Sequence, residues 1–154
     1  MPEDFTLQIV LDYRNSLVGK LELELAALKR ERQRVESSLE HLHRVEYELH
    51  VALAREQRCE DLDLISIEQL NQDLKVCTRK IEACLRTIED LDVSIARKQI
   101  ELTQAKQDEE SIQKLKDAYL KRQKHRLSRL EAIQQDDIYT TQGQRLSLHA
   151  DWTV

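Results

Sequence analysis

The chain carries almost none of the residues that end helices or form tight turns. Its only proline is Pro2, and its only glycines are Gly19 and Gly143. Sheet proteins and doubly wound α/β domains need turns rich in glycine and proline at short intervals, and this sequence cannot supply them. With 40% hydrophobic but only 4% aromatic residues, the chain can bury narrow aliphatic stripes rather than a wide compact core. The sequence therefore predicts an all-α fold of long helices.

A first aliphatic seam advances in alternating steps of four and three, which is the heptad spacing of a coiled coil. Two successive steps of three, from Leu39 to Leu42 to Val45, shift this phase and should turn part of the stripe outward. We predict a helix over about residues 6–59. The seam positions are Leu7, Leu11, Arg14, Val18, Leu21, Leu25, Leu28, Arg32, Val35, Leu39, Leu42, Val45, Leu49 and Ala52.

A second seam keeps the heptad spacing without a slip from Ile67 to Ile112, and the charged residues Lys98 and Glu109 interrupt it. After Ile112 the apolar phase drifts through Leu115, Tyr119 and Gln123 to Leu127 and Leu130. The seam positions are Ile67, Leu70, Leu74, Cys77, Ile81, Cys84, Ile88, Leu91, Ile95, Lys98, Leu102, Ala105, Glu109 and Ile112.

Residues 60–65 separate the two seams, and we predict that they form the tip of a hairpin. Ser66 followed by Gln69 has the spacing of a capping box, with Ile65 and Leu70 placed as a hydrophobic staple. A connection this short favours antiparallel helices. The two seams are therefore predicted to pair within one chain.

The predicted second helix is the longer arm and covers about residues 66–142, because Gly143 would stop it. Residues 144–154 then form an irregular tail, and residues 1–143 form a single helical hairpin. With the tip near residue 62, Phe5 should lie beside Tyr119, so the second helix overhangs beyond it. We predict a long antiparallel two-helix coiled-coil hairpin with the second helix overhanging.

The overhang begins in a basic stretch. The net charge of the chain is −5, yet residues 114–129 hold seven bases against one acid. Few bases there have an acid four residues away, and Leu120, Leu127, Leu130 and Ile133 would lack a partner helix. We predict that this end binds protein, with an anionic membrane surface or nucleic acid as the less favoured alternatives. For the chain as a whole the net charge of −5 predicts no nucleic-acid partner.

No catalytic or ligand-binding motif stands out. A glycine-rich phosphate loop is absent from the sequence, and two paired helices leave little room for an enclosed pocket. His43 and His50 lie seven residues apart, as do Cys77 and Cys84, so neither pair can share a metal ion. We predict a protein that is not an enzyme and holds no cofactor or metal, with its cysteines, Cys59 included, reduced.

The N-terminus supplies a more specific signal. Its run is Phe5-Thr6-Leu7-Gln8-Ile9-Val10-Leu11-Asp12-Tyr13-Arg14, and a basic helix over residues 115–129 precedes Gln134-Gln135-Asp136-Asp137-Ile138. This resembles the FliJ family, the soluble stalk component of the flagellar type III export apparatus, whose members open with phenylalanine, Leu-Gln and Val-Leu-Asp-Tyr-Arg. The later stretch is similar to the family's Gln-x-x-Asp-Glu-type ending, with Asp137 in place of the glutamate.

The resemblance implies an antiparallel coiled coil similar to the central stalk of rotary ATPases. Its free ends would insert into the pore of the hexameric export ATPase, and its tip would reach the export gate protein FlhA. Escorting of export chaperones is also attributed to the family. The implied location is cytoplasmic, at the inner face of the inner membrane through these partners only. The acidic N-terminus, which lacks the features of a signal peptide, agrees with that expectation.

Matched by position, the resemblance assigns two sets of contact residues. The ATPase-binding end comprises Phe5, Leu7, Leu11, Arg14, Lys121, Arg122, Lys124, Arg126 and Arg129. The export-gate-binding tip comprises Leu42, Val45, Leu49, Leu70, Leu74 and Cys77. Two alternatives stay open, namely the related stalk of a virulence-type secretion system and a purely structural coiled coil that dimerises in parallel.

Overall fold

Two long helices account for nearly all of the chain. The computed structural model describes residues 5–151, and the side chains of residues 5–148. Helix α1 spans Gln8–Arg58, and helix α2 spans Leu64–Asp151. Within the described residues there is no strand. The predicted all-α fold, with two long helices packed against each other, is confirmed.

The chain divides into two compact units. The hairpin unit is Ser16–Lys106 and contains the connection between the helices. The terminal unit combines Met1–Asn15 with Gln107–Val154 and therefore holds the start of α1 and the second half of α2.

Both predicted seams are covered in the hairpin unit. Every seam position between residues 18 and 105 is buried or half-buried. One cluster of buried residues comprises Val18, Leu21, Leu25, Leu102 and Ala105, with Leu17 and Ile95 packed against it. Burial of these aliphatic side chains supplies the main favourable term for pairing the helices.

Contacts between the helices of the hairpin unit show that they run antiparallel. Partners on α2 fall in number as partners on α1 rise. In order along α1, the contacts are Glu22 to Lys106, Glu24 to Lys98, Arg32 to Asp92, and the Leu42 carbonyl to Cys77. This order also sets the register between the two seams.

The two bases on the seams of this unit are neutralised by acids of the facing helix. The Arg32 Nε donates to Asp92 at 2.6 Å, and the same guanidinium also binds Glu36. The Lys98 ammonium lies 2.8 Å from Glu24. That hydrogen bond lowers the pKa of Glu24 and raises the pKa of Lys98. A base can therefore occupy a half-buried seam position because the opposite helix supplies its counter-charge.

Helix α2 begins at Leu64 because Asp63 caps it. The Asp63 carboxylate accepts hydrogen bonds from the backbone amides of Ile65 at 3.1 Å and Ser66 at 3.3 Å. The Ser66 hydroxyl donates to the same carboxylate at 2.8 Å. These three bonds lower the pKa of Asp63, the Ser66 hydroxyl contributing most. They satisfy amides that a helix start otherwise leaves unpaired.

The prediction of Ser66 as the cap was therefore wrong. Gln69, its predicted partner, instead donates to Asp73 at 3.0 Å. Ile65, predicted to pack on Leu70 as a staple, is 82% exposed. The charged carboxylate of Asp63 is a stronger acceptor than a serine hydroxyl, which moves the helix start two residues earlier than predicted.

The terminal unit pairs the start of α1 with α2. The Phe5 and Tyr119 rings have centroids 5.6 Å apart, which confirms the predicted position of Phe5. Leu11 is only 1% exposed, and Arg14 lies 3.4 Å from Asp108. From residue 124 to residue 148, every side chain of α2 is exposed.

The predicted irregular tail is wrong over residues 144–151, because α2 continues through Gly143 to Asp151. Residues 152–154 lie outside the described part of the chain. A glycine ends a helix when it adopts a left-handed conformation, and no described glycine has a positive φ. Gln144, Arg145 and Leu146 are good helix formers, so the helix continues past residue 143.

Replacing Gly19 by alanine should stabilise the fold. An added Cβ at Gly19 meets nothing within 4 Å, so the substitution removes the entropic cost of a glycine inside a helix. We expect Gly19→Ala to raise the free energy of unfolding by about 0.5–1 kcal/mol, measured by denaturant unfolding. Gly143→Ala is the matched control and should leave the midpoint unchanged, since its helix stretch is unpaired. Equal effects of both changes would contradict this account.

The Glu24–Lys98 ion pair should make stability depend on pH at the acidic end. The pKa of Glu24 is lowered below its ordinary 4.5 in the folded chain, so its contribution is present above 4.5 and is lost as pH falls through the folded value. Because the pKa of Lys98 is raised above its ordinary 10.5, the ion pair should keep its contribution to stability between pH 4.5 and pH 10.5.

The measurement compares the free energies of unfolding of the wild type and Lys98→Met across pH. The difference between the two free energies of unfolding should stay constant around neutral pH. As pH falls below 4.5, the wild type should lose stability relative to Lys98→Met. Lys114→Met removes an exposed contact to Glu110 within one helix and serves as the control. A wild-type advantage that persists unchanged at low pH would refute the assignment.

Candidate functional site

The first candidate site is the end of the terminal unit where α1 begins. Of its predicted contact residues, Leu11 is buried and Arg14 is half-buried on Asp108. Phe5 is half-buried beside Tyr119, and Leu7 is 38% exposed. Leu11 and Arg14 therefore hold the two helices together, whereas Leu7 and the edge of Phe5 remain accessible to a partner.

The register of α2 continues unbroken beyond Ile112. Lys116, Tyr119 and Gln123 follow it in steps of four, three and four, and all three are half-buried. Leu115, through which the sequence predicted a drift, is 51% exposed. The covered face of α2 thus keeps the heptad spacing even where its residues are not aliphatic, because the start of α1 packs against this face.

Beyond this point α2 presents its predicted bases to solvent. Lys121, Arg122, Lys124, Arg126 and Arg129 are all exposed, and within residues 5–148 none of them forms an ion pair. Uncompensated guanidinium groups bind carboxylates and phosphates through paired hydrogen bonds. The stretch is therefore suited to an acidic partner.

Three of these bases share one side of α2. Arg122, Arg126 and Arg129 follow the helical spacing of four and three. They border a shallow hollow of about 360 Å³, together with His125, Leu130 and Ile133. The sequence predicted that Leu130 and Ile133 lie on an unpartnered face, but it did not single out His125. The spacing of four residues from Lys121 to His125 and from His125 to Arg129 could have identified it.

The second candidate site lies near the tip of the hairpin unit. Leu42, Val45, Leu49 and Cys77 line a groove of about 250 Å³. The Cys77 thiol is 4% exposed and donates to the Leu42 carbonyl at 3.3 Å. The first three residues are half-buried, so the groove brings four of the six predicted tip residues together.

The other two predicted tip residues lie elsewhere. Leu70 borders a hollow of about 370 Å³ with Ala52 and Arg55, and Leu74 lies in a separate depression on α2. Both are half-buried seam residues. Their main contribution is to pack the helices, and they offer little surface to a partner.

The most exposed aliphatic residues near the connection were not among the predicted contacts. Leu62 is 57%, Leu64 is 72% and Ile65 is 82% exposed. In the sequence, Leu62 lies between Asp61 and Asp63, and Leu64 and Ile65 follow Asp63. This alternation is the sequence signal that could have identified them, but the assumed staple at Ile65 placed that residue in a packed position.

The histidines near the tip face solvent. His41, His43 and His50 are exposed, and the neighbouring Tyr47 is 71% exposed. Across the part of the chain that the structure describes, no three His, Cys, Asp or Glu side chains form a group that could hold a metal ion. Cys59 and Cys84 are free thiols, Cys59 exposed and Cys84 half-buried.

No described helix has an apolar stretch long enough to cross a membrane. A scan against family models gives no match, and neither curated proteins nor solved structures match the chain.

Proposed function

We propose that this chain is a stalk or adaptor of the flagellar type III export apparatus. It acts through contacts at its two ends and has no active site of its own. The observation that carries the proposal is the stretch of α2 over residues 121–129, whose bases are exposed and unpaired within the described chain. This stretch directly follows the position where Phe5, the first residue of the FliJ-like run, packs on Tyr119.

At this end, the proposed partner is the pore of the hexameric export ATPase. Arg122, Arg126 and Arg129 would bind acidic side chains of the ring, while Leu7 and Phe5 add apolar contact. Binding of this kind shifts a ring between conformations only if the contacts differ between those conformations. Three guanidinium groups on one side of one helix would contact only some of six ring subunits at a time, so their contacts would differ from subunit to subunit.

At the tip, the proposed partner is the export gate protein FlhA. Leu62, Leu64 and Ile65 supply exposed aliphatic surface, and exposed aliphatic clusters with a polar rim are typical of protein-binding sites. The residues that the resemblance assigns to the tip would act indirectly. Leu42 and Cys77 hold the two helices together and so keep Leu62, Leu64 and Ile65 exposed to the partner.

The proposal also includes escort of export chaperones and a location at the cytoplasmic face of the inner membrane, both reached through partners. A parallel structural dimer is less favoured, because the seams are covered within one chain in the antiparallel order. A virulence-type stalk would use the same chemistry, so the binding experiment includes ATPases of both systems.

Reversing the charge of Arg122, Arg126 and Arg129 to glutamate should weaken binding to the hexameric export ATPase. Loss of charge-assisted hydrogen bonds predicts at least about a tenfold weaker interaction in a pull-down. The same binding should weaken with added salt, since the groups are exposed. Tighter binding to a virulence-type ATPase than to the flagellar one would support the alternative system.

A matched control reverses Lys75, Arg79 and Arg86, which are exposed on the hairpin unit. This variant carries the same change in net charge and should bind as the wild type does. If both triple variants bind unchanged, or both lose binding equally, the assignment of residues 121–129 as the ATPase contact is refuted.

Substituting Leu64 and Ile65 together by serine should weaken binding to the export gate protein and leave the unfolding midpoint nearly unchanged, because both side chains are exposed. Isothermal titration against the cytoplasmic part of the gate measures the first effect. Leu23→Ser, at a residue 73% exposed away from the connection, is the control. Gate binding that survives the double change would exclude this surface as the contact.

A further inference from the structure

The covered seam of α2 has a continuation that no described part of the chain covers. Lys116, Tyr119 and Gln123 define its register by their burial. Counting on by three and four leads to side chains that are all exposed. These positions are Arg126, Leu130, Ile133, Asp137 and Thr140.

The order of these residues is complementary to itself when reversed. In an antiparallel coiled coil, an a position of one helix lies opposite a d position of the other. Pairing this stretch with its own copy places Leu130 opposite Ile133 of the second copy. In the same register Arg126 faces Asp137 of the second copy, and Gln123 faces Thr140. Because the pairing is two-fold symmetric, each of these three facing pairs, or layers, occurs twice.

The covered seams show how this chain accommodates a seam base. Within the two predicted seams, each of the three bases binds an acid of the facing helix, whereas Lys116 on the continuation forms no ion pair within residues 5–148. The pairs are Arg14 with Asp108 at 3.4 Å, Arg32 with Asp92 at 2.6 Å, and Lys98 with Glu24 at 2.8 Å. Arg126 follows on the same line, yet neither it nor the Asp137 carboxylate forms an ion pair within residues 5–148.

The surface at this position also has room for a facing helix. Leu130 is 49% and Ile133 is 55% exposed, and with Arg126 they border the hollow of about 360 Å³. A side chain from an opposing helix can enter such a hollow in the manner of a coiled-coil knob. Leu127, 59% exposed, lies beside the seam and would add apolar area.

We propose that residues 123–140 of α2 form an antiparallel, two-fold symmetric contact with the same residues of a second copy of this chain. The contact is about 27 Å long and continues the existing intrachain seam. A parallel pairing is disfavoured because it would place Arg126 against Arg126 and Asp137 against Asp137. The inference does not rest on the export function, although Arg126 could not serve the ATPase and the second copy at once.

Charge exchange tests this pairing directly. Arg126→Asp and Asp137→Arg each place like charges at two symmetric layers, so each should weaken self-association by at least about tenfold in Kd. An equimolar mixture of the two variants restores opposite charges at both layers and should associate as the wild type does. The two positions lie eleven residues apart on one helix, about 16 Å, so no contact within the chain can explain such a rescue.

Sedimentation equilibrium over a wide range of protein concentration measures the association. Lys121→Asp is the control, because it changes charge on the same helix but outside the seam, and it should self-associate as the wild type does. Circular dichroism should show all variants folded, since residues 126 and 137 lie beyond the covered part. A wild type that remains monomeric, single variants that associate normally, or a mixture that stays monomeric would each overturn the proposal.

Discussion

Burial of one narrow aliphatic seam on each helix is the interaction on which the structure depends. Among the described residues only Leu11 is almost completely buried, at 1% exposure, whereas Leu21 and Leu102 of the hairpin unit remain 7% and 9% exposed. A two-helix contact buries only a stripe, so stability must accumulate along its length rather than in depth. This is why we expect a single glycine inside α1, at position 19, to weaken the fold, and why unpaired parts of α2 depend on helix propensity alone.

The charged seam residues decide how the seams pair. A heptad stripe of leucines tolerates several registers, and the observed antiparallel register is the one that places Asp92 opposite Arg32 and Glu24 opposite Lys98. A register that separates either base from its acid removes the counter-charge of a half-buried group, which costs free energy. The same rule, applied to Arg126 and Asp137, connects the intrachain fold to the surface that we propose for a second copy.

Much of the fold could be predicted from the sequence, because heptad spacing is a direct record of which side chains are buried. The seams, the antiparallel pairing and the meeting of Phe5 with Tyr119 all follow from that spacing and from a short connection. The helix ends could not be predicted as well. Asp63 rather than Ser66 caps α2 because several acceptors compete within a few residues, and α2 passes Gly143 because no left-handed turn forms there.

The sequence by itself determined the class of fold, the lines along which the helices pack, and the concentration of bases over residues 121–129. Only the tertiary structure decided which predicted contact residues are available to a partner. Leu11 and Cys77 are buried, whereas Arg122 and Arg126 are exposed. The physical reason is that exposure depends on where the covering helix begins and ends. For α2 these limits are the ends of α1 at Gln8 and Arg58 together with the pairing register, and composition does not encode them.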